Sequence, residues 1–184
     1  GGSAISTPEY VEALIGTPFA DILKDAFKRQ EGIRLINGNP LTGIKSSLED
    51  SVGVKTSEIT AIPEGDHADE MLGWILPRTN QLSTSHSYFS WLLGKKEYDL
   101  DARIKGGERH IIMSGEYDKV LPMDIYGEFL IKAIIAGDID KMEQLGIYEV
   151  SPEDFAVAEF VDSSKLELQR IVREGLDMLR KENA

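Results

Sequence analysis

The sequence predicts an α+β fold, and three observations carry that prediction. Short apolar stretches bounded by turn residues occupy the first third, while the last third reads as helices punctuated by Gly and Pro. The hydrophobic fraction of 41% against 28% charged residues is that of a chain which buries a core.

Thr17-Pro18 reads as an N-cap followed by Pro at the first helical position. Phe19, Ile22, Leu23, Ala26 and Phe27 then recur at helical spacing, predicting one apolar helix face with Gly32 as its stop. Ile33-Arg34-Leu35-Ile36 is short, apolar and closed by Asn37-Gly38, a strand pattern. Ser51 to Ile62 alternates around Val52, Val54, Ile59 and Ile62 and ends at Pro63-Glu64-Gly65, predicting more strand. Tyr10 to Ile15 supports two readings, since Thr7-Pro8-Glu9 resembles a helix start but the run also suits an edge strand.

Residues 67–121 connect the two ends of the chain. Met71 to Leu76 is apolar, Tyr88 to Leu93 is aromatic, and Tyr98 to Arg103 with His110 to Met113 flank a Gly106-Gly107 pair. That last arrangement predicts a β-hairpin, because Gly supplies the positive φ of a tight turn. From Pro122 the pattern is helical: Ile125, Phe129, Leu130, Ala133 and Ile134 run to Gly137. Asp138 caps a short helix with Met142 and Leu145, stopped by Gly146, and Ser151-Pro152-Glu153-Asp154 starts another. Ser164-Lys165-Leu166-Glu167 reads as a capping box launching Leu168, Ile171, Val172, Leu176 and Leu179. Three parts follow: 1–66 mixed, 67–121 connecting, and 122–184 a small helical bundle.

Composition excludes several functions. A formal charge of −12 argues against nucleic acid and against a bare anionic membrane, both of which are met with Lys and Arg. No apolar run approaches the roughly 18 residues that span a bilayer, and no secretory signal is visible. With no cysteine the chain offers no disulfide, no thiolate nucleophile and no Cys-ligated zinc or iron–sulfur site. The opening Gly1-Gly2-Ser3-Ala4 reads as a tag scar or truncation, so the chain is taken as a fragment.

Candidate chemistry is thin. His67, His86 and His110 lie too far apart for a local metal motif, and His67 with Asp69 and Glu70 reads as a solvated acidic loop. Ser83-Thr84-Ser85-His86-Ser87 lacks a nucleophile turn and an orienting third group, which disfavours a hydrolase. Gly38-Asn39-Pro40-Leu41-Thr42-Gly43 resembles a phosphate-cradling loop but lacks the Gly-Lys-Ser/Thr ending, and reads first as a wide turn. Gly38, Asn39 and Gly43 remain candidate ligand contacts. Trp74, Tyr88, Phe89 and Trp91 are candidates for an interface or apolar pocket, with core as the default reading.

Tyr117 to Ile125, Ala136-Gly137-Asp138-Ile139-Asp140, Gln144-Leu145-Gly146, Glu149, Ser151 to Ala156 and Phe160-Val161 form an ordered series. Upstream, Ile15 to Leu23, Ile36 to Gly43, Ile62-Pro63-Glu64-Gly65 and Leu72-Gly73-Trp74 continue it. In order and spacing these resemble the C-terminal part of the A subunit of Na+-translocating NADH:quinone reductases. The resemblance runs over nearly the whole chain.

It implies a soluble-ligand-binding β-grasp module up to about residue 66, truncated at its N-terminus, with Tyr10 to Ile15 as a strand. It implies a ferredoxin-like helical bundle without clusters at the other end, similar to the C subunit of Rnf-type electron-transport complexes. The cluster-binding pattern of that relative falls on Ile111, Ser114, Tyr117 and Leu121, and again on Pro152, Phe155, Ala158 and Asp162, none of which is a thiolate. It further implies a peripheral subunit on the cytoplasmic side of the bacterial inner membrane, partnered by the other reductase subunits. NADH, flavins, an iron–sulfur centre and quinone would serve the whole complex, with no redox centre in this chain and quinone as a candidate contact. The alternative is a small-ligand-binding β-grasp module using Gly38 to Gly43.

Overall fold

The computed structural model describes residues 1–28, 31–65, 79, 81–82, 86, 88–94, 97–105 and 107–184. The expectations at Met71 to Leu76, including Trp74, at His67 with Asp69 and Glu70, at Ser83 to Ser85, at Ser87 and at Gly106 lie outside these residues. The chain forms two compact units, residues 1–103 and residues 104–184. Helix and sheet are both present, as an α+β chain requires.

The first unit is built on a three-stranded antiparallel sheet. Strand β1 (Ile33–Asn37) lies between β2 (Ile44–Ser46) and β3 (Ile59–Pro63), in the order β2-β1-β3. Leu35 faces Ser46 on one side and Ala61 on the other. Leu35 and Ala61 enter a core with Ala4, Ile5, Phe19 and Leu23. Phe19 and Leu23 arrive on a short helix, α1 (Phe19–Ile22), whose N-cap is Pro18 and not Thr17. The apolar spacing predicted a helix through Phe27, but Asp25 takes φ 105° and the chain turns, sending Ala26 and Phe27 back to the same core by another path.

Ser51 to Ile62 becomes strand only from Ile59, and Val54 is fully in solvent, so its alternation does not mark a buried face. Tyr10 to Ile15 adopts neither helix nor strand and is exposed throughout. The Gly1–Ala4 segment is part of the fold. Its backbone pairs with β3 (Ala4 N donates to Ala61 O at 3.1 Å, Ala61 N to Gly1 O at 2.9 Å), and Ala4 is buried. Gly2 sits at φ +99°, where a Cβ would overlap Ala61 O, so only glycine permits this approach.

Across the sheet, Arg34 donates from Nε to Glu64 Oε2 at 2.9 Å and from Nη2 to Oε1, and Lys45 Nζ lies 3.6 Å from Oε1. The Arg34 hydrogen bond is the main cause holding the Glu64 carboxyl below its ordinary 4.5. A lowered acid contributes stability above its unfolded value and loses it as pH falls. Arg34→Gln is therefore expected to flatten the acid limb of a urea-midpoint profile below about pH 4.5, by about 1 kcal/mol for a part-buried pair still open to solvent.

The predicted hairpin is not formed by the described residues. Tyr98 to Arg103 and His110 to Met113 carry no strand. Ala102 N donates instead to Pro63 O at 2.9 Å, and Arg109 N to Ser164 O at 2.9 Å. A Gly-Gly turn signal is permissive only, and each arm finds a better partner elsewhere in its own unit.

The second unit is helical. Helix α2 (Gly127–Ala136) ends at Gly137 in the left-handed conformation, and α3 (Ile139–Gln144) is capped by Asp138, which accepts from Lys141 N. A 3-10 turn at Pro152–Phe155 leads into α4 (Ala156–Val161), and α5 (Leu168–Glu182) closes the unit. The reciprocal capping box lies at Ser151 and Asp154, not at Ser164 and Glu167. Ser164 is fully buried, and its hydroxyl accepts from Ile112 N at 3.0 Å.

Candidate functional site

The aromatic segment is a surface feature. Phe89–Leu93 forms a 3-10 turn from which Phe89, Trp91, Leu92 and Leu93 project to solvent, while Tyr88 is half-buried. These side chains are not core. Trp91 stacks on His86 with ring centroids 5.0 Å apart, and Ser90 is the buried member of the turn. Trp74 cannot be joined to this patch, since it lies outside the described residues.

The loop after β1 spends its own donors. Asn39 Oδ1 accepts from Leu41 N at 2.8 Å and from Thr42 N at 2.9 Å, and Asn39 O accepts from Gly43 N at 2.9 Å. Gly38 N donates to Glu58 O. A phosphate cradle needs such amides free and convergent, and here they close an Asx turn. Gly43 is glycine for steric reasons, because a Cβ would stand 2.5 Å from Asn39 O.

The eight positions onto which the resemblance lays a cluster-binding pattern gather mostly in the helical core. Tyr117, Phe155 and Ala158 are wholly buried in one cluster, with Ile111 and Leu121 packed against it. Pro152 and Asp162 are buried as well, and Ser114 alone is exposed. Gly127 joins the two sets: a Cβ there would overlap Leu121 Cδ1 and lie 3.5 Å from Phe155 Cε1. This space is filled by side chains, none of them a thiolate, and it does not fit an iron–sulfur cluster. Among the described residues no group of three or more His, Asp or Glu is placed to hold a metal ion.

Polar groups tie the same region together. Asp162 accepts from Ser164 N at 3.1 Å and from Leu166 N at 2.9 Å. Glu128, also buried, accepts from Ser114 N, Ser114 Oγ and Gly115 N at 3.1, 3.2 and 2.7 Å. No sequence signal marks Glu128 as an anchor, since its partners lie 13 and 14 residues upstream in a loop.

The Tyr117 hydroxyl is buried beside the Asp162 carboxylate. Burial, then the Asp162 carboxylate, push its pKa far above the usual phenol value. It stays neutral near pH 7. Lys165 is pushed down by burial, with Asp162 opposing. The Tyr117 hydroxyl gains from the neighbouring Asp162 carboxylate what its burial costs, so Tyr117→Phe is expected to change stability by under about 1 kcal/mol. A chemical-denaturation midpoint that falls by more than that amount would contradict this reading.

A groove in the second unit went unread in the sequence. Tyr126, Phe129, Lys132, Ala133, Ala136, Asp138, Lys141, Gln144 and Leu145 line an open hollow of about 620 Å³ between α2 and α3. The signal was present: Tyr126, Phe129, Lys132 and Ala136 recur at helical spacing on the face opposite Leu130, Ile131 and Ile134.

Residues 1–47 match the family described as the NQRA C-terminal domain. The A subunit of the Na+-translocating NADH-quinone reductase of Rhodopirellula baltica is 31% identical over 182 residues, which is 98% of this chain and 40% of that protein. Along nearly its whole length the chain is similar to the A subunit of the Na+-translocating NADH-quinone reductase. The A subunits of Vibrio anguillarum and of a Neisseria meningitidis serogroup C strain are each 30% identical, over 98% and 99% of this chain. The chain thus spans about two fifths of the length of these relatives. Among the described residues, no helix is long and apolar enough to cross a membrane.

Proposed function

We propose that the chain is the C-terminal region of the peripheral A subunit of a sodium-pumping NADH:quinone oxidoreductase, and that it serves assembly of that complex. The observation that carries this is the relatedness to reductase A subunits along 98% of the chain. On this reading NADH oxidation, quinone reduction and Na+ export belong to the assembled complex, and this region supplies surface and shape. It contains no cysteine and so offers no thiolate to an iron–sulfur centre.

The finer architecture belongs to the same proposal. Residues 1–66 act as the β-grasp module, 67–121 connect, and 122–184 form a ferredoxin-like bundle whose cluster positions are occupied by Tyr117, Phe155, Ala158 and Asp162. The subunit would sit on the cytoplasmic side of the inner membrane, against the other subunits and within reach of quinone. Phe89 and Trp91, at 58% and 49% exposed, are candidate contacts. The test is a Phe89→Ala, Trp91→Ala double variant of the subunit, folded by circular dichroism and mixed with the remaining complex. Loss of co-purification supports these contacts, whereas unchanged assembly and unchanged quinone reduction remove them from the proposal.

A further inference from the structure

Helix α2 is apolar on almost every face, with the sequence Gly-Glu-Phe-Leu-Ile-Lys-Ala-Ile-Ile-Ala. Half of that is accounted for, since Leu130, Ile131, Ala133 and Ile134 are buried in the unit's own core. The other half is not. Tyr126 is 71% exposed and Phe129 54% exposed, and their rings meet edge-to-face at 6.2 Å, making one continuous aromatic wall. A helix apolar all round is normally covered, and contiguous exposed aromatic surface marks a contact site.

The groove beside that wall has a definite chemistry. Ala133 and Ala136 contribute its small side chains, which permit close approach, and Leu145 adds apolar surface from the α3 side. Two lysines line it, and they differ. Lys141 is neutralised by Asp138, with Nζ 2.7 Å from Oδ2. Lys132 has no ion pair or side-chain hydrogen bond among the described residues. An unneutralised cation within an apolar groove, on a chain of net charge −12, selects an occupant that brings a carboxylate.

Resting on the proposed assembly role, we infer that this groove receives an amphipathic helix from another subunit of the complex. Its apolar stripe packs on Tyr126 and Phe129, and an Asp or Glu on the same helix pairs with Lys132. Two other occupants fit less well. An anionic lipid surface would face a strongly acidic chain. A second copy would set one chain of net charge −12 against another of the same sign.

The test is site-specific photo-crosslinking in the assembled complex, with Phe129 replaced by a benzophenone amino acid. The expected product joins Phe129's position to one peptide of another subunit, carrying apolar residues at spacings of three and four and an acidic residue between them. Lys132→Glu is expected to lower the crosslink yield about tenfold, and reversing the charge of that acidic residue is expected to restore it. A crosslink to lipid, to a second copy or only within the chain overturns the inference, as does no crosslink in a complex that still assembles. Failure of the subunit to enter the complex at all overturns both the assembly role and the groove. An intact complex with a silent groove overturns the groove alone.

Discussion

Phe155→Ala is expected to destabilise the C-terminal unit by about 3–5 kcal/mol, the range for truncating a buried phenylalanine. Phe155 is wholly buried, packs in the cluster with Tyr117 and Ala158, and lies against the face where Gly127 leaves no room for a side chain. Its removal opens a cavity which neighbouring helices cannot close without moving their backbones. The readout is native-state amide exchange in α2 and α5, where protection should fall by at least about a hundredfold. A loss below about 1 kcal/mol would mean that the region relaxes freely, and the account of these positions as tightly filled space would fail.

Asp162→Ala is the second large effect, expected at about 2–5 kcal/mol. The carboxylate is fully buried and satisfies the amides of Ser164 and Leu166. Ser164 in turn takes hydrogen bonds from Ile112 N on its hydroxyl and from Arg109 N on its carbonyl. Removing one side chain therefore strands a buried donor at Ser164 and a part-buried one at Leu166, and loosens the loop that holds residues 109–112. Asp162→Asn tests the mechanism more sharply, because its single amide oxygen can replace at most one of the two acceptors. It should retain part of the stability, as read from chemical-denaturation midpoints, and a variant as stable as the parent would contradict the clasp. Ser164→Ala isolates the next link and is expected to cost about 1–3 kcal/mol.

How much of this was legible from sequence depends on the kind of interaction. The helical end was readable because its signals are local. Gly137 in the left-handed conformation, the Asp138 cap and the Ser151-Pro152 start each act within four residues, and each appears where the pattern placed it. The Ser164-Glu167 box failed although its spacing is right. Ser164 is drawn into a contact 52 residues away, with Ile112, and tertiary demand overrides a cap.

The first unit was less legible for the same reason. Phe19 to Phe27 has helical spacing, but its side chains reach the core through a turn at Asp25, which periodicity alone does not register. The alternation at Val52 and Val54 breaks off at once, because Val52 packs against the core while Val54 lies in solvent. At the sites, sequence located Phe89 and Trp91 by composition without showing that they face outward. The α2 groove was hidden because a single apolar stripe was assigned to a helix that has two.

The central proposal is that this region serves assembly of a reductase complex without carrying its electrons. Its most direct test is co-purification of the subunit with the membrane complex, with and without residues 111–184. The account predicts that the subunit bearing this region stays with the complex, and that deletion releases it while the remaining part stays folded. A complex that keeps its full complement of subunits and its quinone reduction without residues 111–184 would contradict it.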